Sequence, residues 1–592
     1  MPKFERHLIY TADERTWKFD RPVIFLGEWA RVHNRKDIWQ NMDAIVAEPY
    51  GLGQIKKDCD NDKARDLEEK IFPIFCDVLN LYHGTRHSKR YWKIVLGHWF
   101  QRYITAMINR IRTIEVCMQQ YLLSGTTIFD GDYYSLAVQD SYAAILAYDD
   151  PRWNAAIYAR IISLLNKSNF QIEVIADDNI PGFCLAQQAI KYPLIKRIVN
   201  YNYQRVAVIA GLLLRTEDIF ILNSYLPKKE EIKLHLALGQ MPMTWKSASF
   251  KTAKLPDRIL RQNLSKDLKQ QGSVSVLSDI LQIMLFEVLP VCYLEGFQEL
   301  NKKAEELPWP NKPKLIFTSN CYDTDELFKV WTATKVVSGS KYIIGQHGNN
   351  YGTYRYFNPS LEETIADKFL TWGWVDGLIQ HTPTFLLKTA GLKQVERNWK
   401  GGLLLIEDAL SHRISTWDNT FEFGLYFKEQ QVFIRLLDEK PRKQLTLRLH
   451  AGYRNQNWCE EARWYDFDPL LKIDKGSVPI NQLISRSRLV VHSYDSTGIL
   501  ETLSQNIPTI AFWSNGLEHL RESAMPYYQL LLNAGIIHLT PQSAAKKINE
   551  IWEDIDGWWM QGEVQLTVQH FCENFARTCP NPVSVIKQCL LK

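Results

Sequence analysis

The alternation of short apolar runs with helical segments constrains the fold most, and it is clearest after a proline-rich junction at residues 308–313. Three of these six residues are proline, so the junction cannot be helical. Apolar runs of strand length follow at 314–318, 342–345, 369–372, 403–406, 445–449, 489–492, 509–512 and 536–539. Because helical segments separate most of these runs, the pattern predicts an α/β fold with parallel sheets covered on both faces.

The N-terminal part begins with the same strand signal and continues into a long helical region. Residues 8–11 and 23–27 are predicted strands, and the second leads into Glu28. Through most of 55–305 the apolar residues recur at spacings of three and four, as in the stripe Trp92, Val95, Leu96, Trp99, Tyr103, Met107, Ile111 and Ile114. We therefore predict two domains, 1–388 with a helical insertion at about 55–305 and 389–592, with one parallel sheet on each side of about residue 390.

Charge and motif content argue against several classes of function. The net charge is only +4 over 592 residues, which gives no broad basic face for nucleic acid. The sequence has no GxxxxGK(S/T), GxGxxG, HExxH or GxSxG motif, which weighs against P-loop enzymes, common dehydrogenases, zinc proteases and α/β-hydrolases. Asp-x-Asp occurs six times without a shared context, so we assign no metal site and no cofactor.

Cysteine and hydropathy patterns favour an intracellular location. The ten cysteines show no CxxC pair and no zinc-ligand spacing, which is typical of thiols in a reducing compartment. No apolar run is both long enough and free enough of charge to cross a membrane. We therefore expect a cytoplasmic protein whose membrane association, at the inner face of the cytoplasmic membrane, is at most peripheral.

The first candidate site is the loop Gln346-His347-Gly348, which follows a predicted buried strand. Glycine lets the backbone approach a ligand closely and exposes its N–H groups to an anion. A neutral histidine beside a phosphate or sugar can donate a hydrogen bond or move a proton. We predict that His347 is catalytic and that Gln346 and Gly348 contact a donor, the alternative being a glycine-rich turn with a structural histidine.

The second candidate site is the pair Arg448 and His450 at the end of a predicted strand. Alternate residues of a strand point to the same side, so the two side chains lie next to each other. A planar guanidinium and an adjustable imidazole suit a phosphate. An exposed edge strand with a polar face would show the same pattern.

The third candidate site is a strand that ends in hydroxyl residues and leads into a helix. A helix that begins near Ser496 or Thr497 offers unpaired N–H groups and a positive dipole end, which is a seat for phosphate. The predicted donor-binding residues are Ser493, Asp495, Ser496, Thr497, Gly498 and Glu501. Ser and Thr acting only as helix caps are the alternative.

Three carboxylates are candidates for the catalytic group beside His347. Glu28 follows a strand and a glycine, and Asp323 and Glu326 open the helix after residues 318–320. Because the carboxyl ends of parallel strands share one edge, we expect His347 and at least one of the three to line a cleft that faces the Ser496–Thr497 helix start. Each could instead be a helix N-terminal acid favoured by the dipole.

Four segments carry a resemblance to a known family. The segments 8–33, 319–352, 365–374 and 493–513 resemble a group of bacterial transferases from O-antigen and capsule gene clusters. The family is similar to GT-B glycosyltransferases, with two Rossmann-like domains facing a cleft. It is also similar to capsule transferases that use CMP-activated 2-keto sugars such as Kdo and pseudaminic acid. The resemblance gives His450 and Ser496-Thr497 the role of holding the cytidine nucleotide, with Ala451 where those enzymes have proline.

The resemblance implies a metal-independent glycosyltransferase of capsule or O-antigen biosynthesis. Its C-terminal domain would bind a nucleotide-sugar donor, CMP-linked in the leading interpretation, and its N-terminal domain a glycan or lipid-linked glycan acceptor. Two alternatives stay open. One is a CDP-polyol phosphotransferase of the teichoic-acid type, and the other is a binding or scaffold protein of polysaccharide assembly that has lost catalysis.

Overall fold

The protein, in a computed structural model, is an α/β structure with parallel sheets, as predicted. The structure describes residues 5–131, 133–165, 170–176, 217–243, 245–269, 275–357, 359–392, 398–408, 416, 420–456 and 458–592. In these residues the strands form three sheets of five, five and six strands. We predicted one sheet on each side of residue 390, and this number is wrong, because the residues before 390 form two sheets.

The first sheet has the strand order β3-β2-β1-β4-β5. Its strands are β1 (Arg6–Ile9), β2 (Val23–Phe25), β3 (Ala44–Val46), β4 (Leu123–Phe129) and β5 (Gln171–Ile175). This is a doubly wound order, which reverses direction between β1 and β4. Because β4 and β5 lie within 55–305, the predicted helical insertion also builds the first sheet. Residues 177–216 of that insertion lie outside the described residues.

The second sheet has the sequential order β10-β9-β8-β7-β6, and the third has the doubly wound order β13-β12-β11-β14-β15-β16. The second consists of β6 (Phe220–Ile221), β7 (Leu315–Thr318), β8 (Lys341–Gly345), β9 (Lys368–Thr371) and β10 (His381–Pro383). The third consists of β11 (Gly402–Ile406), β12 (Leu445–Arg448), β13 (Ile473–Asp474), β14 (Ser487–His492), β15 (Thr509–Phe512) and β16 (Ile537–His538). All eight strands predicted after the proline junction are present, with ends shifted by at most two residues.

Helices cover the sheets on both faces. In the first half they are α1 (Lys36–Trp39), α2 (Gln54–His83), α3 (Lys89–Gln120), α4 (Ser141–Asp149), α5 (Pro151–Leu165), α6 (Lys228–Ala237), α7 (Arg258–Lys269), α8 (Val276–Val288) and α9 (Phe297–Glu305). The middle of the chain adds α10 (Cys321–Thr324), α11 (Glu326–Val337), α12 (Leu361–Ile365), α13 (Thr420–Leu436), α14 (Glu439–Lys443), α15 (Glu460–Phe467) and α16 (Ile480–Ser485). The last are α17 (Thr497–Ser504), α18 (Met525–Asn533), α19 (Pro541–Ile551), α20 (Ile555–Trp559), α21 (Gly562–Phe575) and α22 (Pro582–Leu591). In the part of the chain that is described, no helix combines the length and apolar character needed to cross a membrane.

Helix α3 lies at the centre of the packing. It begins at Ser88, whose Oγ accepts a hydrogen bond from the Tyr91 N–H at 3.2 Å and so caps the helix. It packs against α2, α5, α8, α11 and α12. All eight residues of its predicted apolar stripe are buried, as expected. Polar side chains of α3 are also enclosed by the neighbouring helices, and two of them reach the candidate site.

The loop after β8 depends on a glycine that packs against an aromatic ring. Gly352 has φ +76°, and a Cβ placed there would lie 2.4 Å from Cδ2 of Trp374. Gly339 has φ +106°, but a Cβ there would meet nothing within 4 Å. Both positions therefore need a positive φ, but only Gly352 lacks room for a side chain.

Replacement of Gly352 should therefore cost more stability than replacement of Gly339. We expect Gly339→Ala to lower the free energy of unfolding by about 1–2 kcal/mol, the cost of a left-handed conformation. Gly352→Ala should add a further cost of about 1–3 kcal/mol for the forced shift of Trp374. Denaturant unfolding of both variants measures this difference, and equal losses would contradict the packing of Gly352 on Trp374.

Candidate active site

The carboxyl ends of the second and third sheets meet, which brings two predicted loops into contact. The Asn349 N–H, in the loop after β8, donates to Oγ1 of Thr497 at the start of α17, at 3.2 Å. The side-chain amide of Asn349 donates to Oδ1 of Asp495 at 3.1 Å. Gly348 approaches so closely that a Cβ there would lie 3.5 Å from Oγ1 of Thr497. The structure thus places the His347 loop beside the hydroxyl-rich helix start.

His347 is held by two tyrosines at one ring nitrogen. Its Nδ1 lies 2.6 Å from the hydroxyl of Tyr322, on α10, and 3.1 Å from the hydroxyl of Tyr351. The two hydroxyl oxygens are 3.2 Å apart. Tyr351 in turn donates to Oε1 of Glu362, on α12, at 2.8 Å. Nε2 of His347 makes no hydrogen bond to any residue that the structure describes.

These contacts favour a proton on Nδ1 of His347 over one on Nε2. Because the Tyr351 hydroxyl donates to Glu362, its oxygen is available as an acceptor. All remaining contacts are satisfied when Tyr322 donates to Tyr351 and the Nδ1–H of His347 donates to both tyrosine oxygens. In that arrangement Nε2 carries a lone pair and can act as a base.

Burial, rather than the neighbouring charges, keeps the His347 ring neutral near neutral pH. Burial lowers the pKa of the His347 imidazole below its ordinary value, and Lys388 acts in the same direction. Glu362 and Asp323 oppose this change but do not reverse it. His347 is therefore able to accept a proton rather than already holding two.

Helix α3 supplies two side chains that support this site. His98 stacks on Tyr322 with ring centroids 4.9 Å apart, and its Nε2 lies 3.4 Å from Oε1 of Glu362. Arg102, one turn later, donates to both carboxylate oxygens of Asp323 at 2.5 and 2.8 Å. Burial alone would raise the pKa of Asp323, but the charge and hydrogen bonds of Arg102 lower it to about 2. Asp323 is thus near His347, as predicted, but its carboxylate is engaged by Arg102.

The start of α17 has the features of an anion seat. Ser496 is the N-cap residue but makes no capping hydrogen bond with its side chain. Its Oγ instead lies 3.3 Å from Nδ1 of His492. The N–H groups of the first turn and the positive end of the helix dipole favour an anion here. Gly498 lies in this first turn, where a Cβ would collide with His492.

Lys388 is a cation of the cleft that the sequence analysis missed. Its Nζ lies 3.1 Å from Oε1 of Glu501 on α17, and 5.1 Å from the centre of the Tyr225 ring. The Tyr225 ring in turn meets His347 edge to face at 6.3 Å. Lys388 therefore stands between the His347 loop and the anion seat, and Glu501 holds it there.

Several predicted donor-binding residues have structural partners instead. Oε1 of the buried Gln346 accepts from the Trp372 N–H and the Trp374 Nε1–H, each at 2.8 Å, which joins the loops after β8 and β9. The Asp495 side chain is only 4% exposed; it accepts from Asn349 and Tyr528 and lies 3.0 Å from Nε2 of His519. These side chains shape the site without facing it.

Of the predicted phosphate-binding residues Arg448 and His450, only Arg448 forms a salt bridge with a residue that the structure describes. The guanidinium of Arg448 pairs with Asp474, at the end of β13, and donates to the Val478 carbonyl at 2.9 Å. Its charge is therefore neutralised within the sheet edge. His450 is exposed, and its Nδ1 accepts from the Gly452 N–H at 3.1 Å. Ser493 donates to the Ile406 carbonyl at 3.1 Å, at the end of β11.

Two of the three predicted carboxylates do not join His347. Glu28 lies at the carboxyl edge of the first sheet, paired with Arg31. Glu326 is buried in the core, where its Oε1 accepts from the Ser141 N–H and its Oε2 lies 3.0 Å from Nζ of Lys329. Glu28 does not share a sheet edge with His347, because the first strands form a separate sheet. Glu326 does not reach the site because its face of α11 packs inward.

One group of side chains within the described residues is close enough together to be considered as metal ligands, namely Glu363, Asp376 and His381. Both ring nitrogens of His381 face carboxylates, Nδ1 at 2.6 Å from Asp376 and Nε2 at 3.1 Å from Glu363. Although burial opposes it, the pairing with Glu363 and Asp376 raises the pKa of His381. A guanidinium nitrogen of Arg521 also lies 3.5 Å from Oδ2 of Asp376.

The residues missed by sequence reasoning share one property. His98, Arg102, Tyr351, Glu362 and Lys388 are single polar or aromatic residues in otherwise ordinary helices and loops. The available signal was the spacing of His98 and Arg102, one turn apart on a helix that is apolar on most of its surface. Such a pair indicates buried partners elsewhere, although it does not identify them.

The chain belongs to the LIC12162 family of transferases, whose family model matches residues 6–590. Among curated proteins, none matches the chain. Together with the fold, the family establishes a transferase built on parallel α/β sheets.

Several solved structures are similar to this chain at low identity. MurG of Acinetobacter baumannii is 11% identical, covers 63% of this chain and 99% of its own, and gives a TM-score of 0.32. The wall teichoic acid polymerase TagF is 12% identical, with coverage of 67% and 95% and a TM-score of 0.31. The UDP-GlcNAc 2-epimerase of Neisseria meningitidis is 13% identical, with coverage of 63% and 99% and a TM-score of 0.34. Similarity at this level carries no argument about activity.

Removal of the Asp323 charge should destabilise the protein through Arg102. We expect Asp323→Asn to lower the free energy of unfolding by about 3–5 kcal/mol, because it leaves a mostly buried guanidinium without its partner. The double variant Asp323→Asn/Arg102→Met should lose less, because both charges disappear. The exposed pair of Asp466 with Lys36 provides the control, and Asp466→Asn should cost less than about 1 kcal/mol. Wild-type stability of Asp323→Asn in denaturant unfolding would contradict this structural role.

Proposed function

We propose that this protein is a glycosyltransferase of surface polysaccharide biosynthesis, for capsule or O-antigen. It transfers a sugar from a nucleotide donor to a glycan or lipid-linked glycan acceptor at the cytoplasmic face of the membrane. The donor is a CMP-activated 2-keto acid sugar, of the pseudaminic acid or Kdo type. The family supports group transfer, and the finer assignment rests on the sequence resemblance and on the geometry of the cleft.

One observation carries the proposal. Nε2 of His347, a base with its other nitrogen fixed by Tyr322 and Tyr351, lies in the loop after β8, and Asn349 of the same loop contacts Thr497 at the anion seat of α17. A sugar transferase needs a base for the acceptor hydroxyl and a positive environment for the departing phosphate, a few ångströms apart. The cleft offers both.

Each residue of the cleft has a separate role in the proposed reaction. Nε2 of His347 takes the proton of the acceptor hydroxyl as its oxygen bonds to the anomeric carbon. The bond from that carbon to the phosphate oxygen breaks, and the negative charge moves to the phosphate. The N–H groups at the start of α17, the Thr497 hydroxyl and Lys388 stabilise that charge. The chain between Glu362, Tyr351 and His347 stabilises the imidazolium that forms.

The use of a histidine as the base also suits the CDP-polyol phosphotransferase alternative. There the acceptor hydroxyl would attack phosphorus instead of an anomeric carbon, with the same residues as base and anion seat. Both reactions release CMP, so release of CMP alone does not separate them. Transfer of phosphate into the product separates them directly.

Donor binding and turnover should respond differently to substitutions in the cleft. In thermal-shift and calorimetric titrations with CMP, CDP, UDP and GDP, we expect cytidine nucleotides to bind best. Lys388→Gln should weaken their binding about 10- to 100-fold, the effect of one charge-assisted hydrogen bond. His347→Gln should leave binding within about twofold but lower turnover by about 10²–10⁴-fold, because it acts on proton transfer.

The control for the loss of a lysine is Lys341→Gln, an exposed residue at the opposite end of β8. Turnover should also survive EDTA, because Lys388 and the helix start provide the positive charge. No shift with any nucleotide would favour the scaffold alternative. Unchanged turnover in His347→Gln would contradict the role of His347 as the base. Loss of turnover in EDTA that Mg²⁺ restores would contradict metal independence.

A further inference from the structure

A second cavity lies away from the His347 cleft, between the first sheet and two helices of the third. Its volume is about 530 Å³, within the range of ligand sites. One wall is the segment after β2, with Glu28, Arg31 and Trp39, and the other is formed by α13 and α15. Neither the transfer mechanism nor the anion seat uses this space.

The cavity has an excess of positive charge. Arg31, Lys428, Arg435 and Arg463 line it, against the carboxylates of Glu28 and Asp466. Arg31 pairs with Glu28, and Asp466 is taken by Lys36 and His33 at 2.7 and 2.9 Å. Within the described ranges, Lys428, Arg435 and Arg463 form no ion pair with a carboxylate.

Arg463 is the most constrained of these cations. Its Nε donates to the Trp458 carbonyl at 2.7 Å, which fixes the guanidinium and leaves its two terminal nitrogens available. Burial lowers the pKa of Arg463. Burial also raises the pKa of the neighbouring Glu460, which weakens the negative charge beside Arg463.

Aromatic rings orient the guanidinium groups of this cavity. Arg31 lies over Trp39 with 4.9 Å to the ring centre, and Arg435 lies over Phe467 at the same distance. Arg463 lies 5.9 Å from the centre of the Phe427 ring. A guanidinium that stacks on a ring keeps its N–H donors in the guanidinium plane, where they can form two hydrogen bonds to an oxyanion.

We propose that this cavity is a second ligand site, which binds a phosphate or diphosphate group through Arg463, Arg435 and Lys428. Three cations without carboxylate partners suit a ligand of charge −2 or more, which a phosphate carries and a single carboxylate does not. Trp39 and the two phenylalanines provide an apolar wall for the rest of the ligand. The site spans the first and third sheets, so an occupied cavity would join the two.

Inorganic pyrophosphate is the first probe, measured by isothermal titration calorimetry on the full-length protein. We expect Arg463→Gln to raise its Kd about tenfold or more, the loss of one charge-assisted contact. Glu28→Gln should act in the opposite direction and lower the Kd about threefold, because it removes a negative charge from the cavity. A general disturbance of the fold would weaken binding in both variants.

Two further variants make the test independent of the cleft and of folding. Lys428→Gln changes an exposed side chain and should raise the Kd without loss of stability. Arg442→Gln, an exposed arginine on α14 outside the cavity, should leave the Kd within about twofold. CDP and dodecyl phosphate then distinguish a nucleotide from a lipid phosphate as the source of the group.

Three results would overturn the proposal. The first is the absence of pyrophosphate binding by the wild type at millimolar concentration. The second is an unchanged Kd in both Arg463→Gln and Lys428→Gln. The third is binding that Thr497→Val abolishes and Arg463→Gln leaves intact, which would assign the pyrophosphate to the cleft. None of these results depends on turnover, so they do not test the proposed transferase activity, which is tested separately.

Discussion

The pairing of two polar groups on helix α3 is the interaction on which the site depends. The mostly buried guanidinium of Arg102 requires a partner, because an unpaired charge in the interior costs several kcal/mol, and the buried His98 imidazole also faces a carboxylate. Glu362 and Asp323 supply those partners, and each stands next to a tyrosine that holds His347. The packing of one central helix therefore sets the position of the proposed base.

The two halves of the cleft come from different sheets, and this division has a chemical consequence. The second sheet carries His347 with its tyrosines, whereas the third carries the helix start that would receive the phosphate. Asn349 joins the two loops by hydrogen bonds to Thr497 and Asp495, and Lys388 joins them by its ion pair with Glu501. The distance between base and anion seat is thus fixed by short contacts rather than by a flexible linker.

The sequence was sufficient for features that depend on local pattern and insufficient for those that depend on distant partners. Strands β7, β8 and β14 are mostly apolar runs and were predicted, whereas β4 contains Thr126 and Thr127 and was included in the predicted helical insertion. Thr126 is buried because its hydroxyl donates to the Leu8 carbonyl at 2.7 Å, a partner 118 positions away. Arg448 likewise looked like an available cation, because the sequence does not show that Asp474 pairs with it across the sheet edge. The glycine loop of His347 could be identified, but its tyrosine and glutamate partners could not.

The protonation state of His347 tests the central claim most directly, and it requires no substrate. In ¹⁵N-histidine-labelled protein, with His347→Gln used to assign the signal, nitrogen chemical shifts show which ring nitrogen carries the proton. The account predicts a neutral ring at pH 7.5 with the proton on Nδ1, an unprotonated Nε2, and a pKa below the ordinary histidine value. A proton on Nε2, or a doubly protonated ring at that pH, would contradict the assignment of His347 as the base.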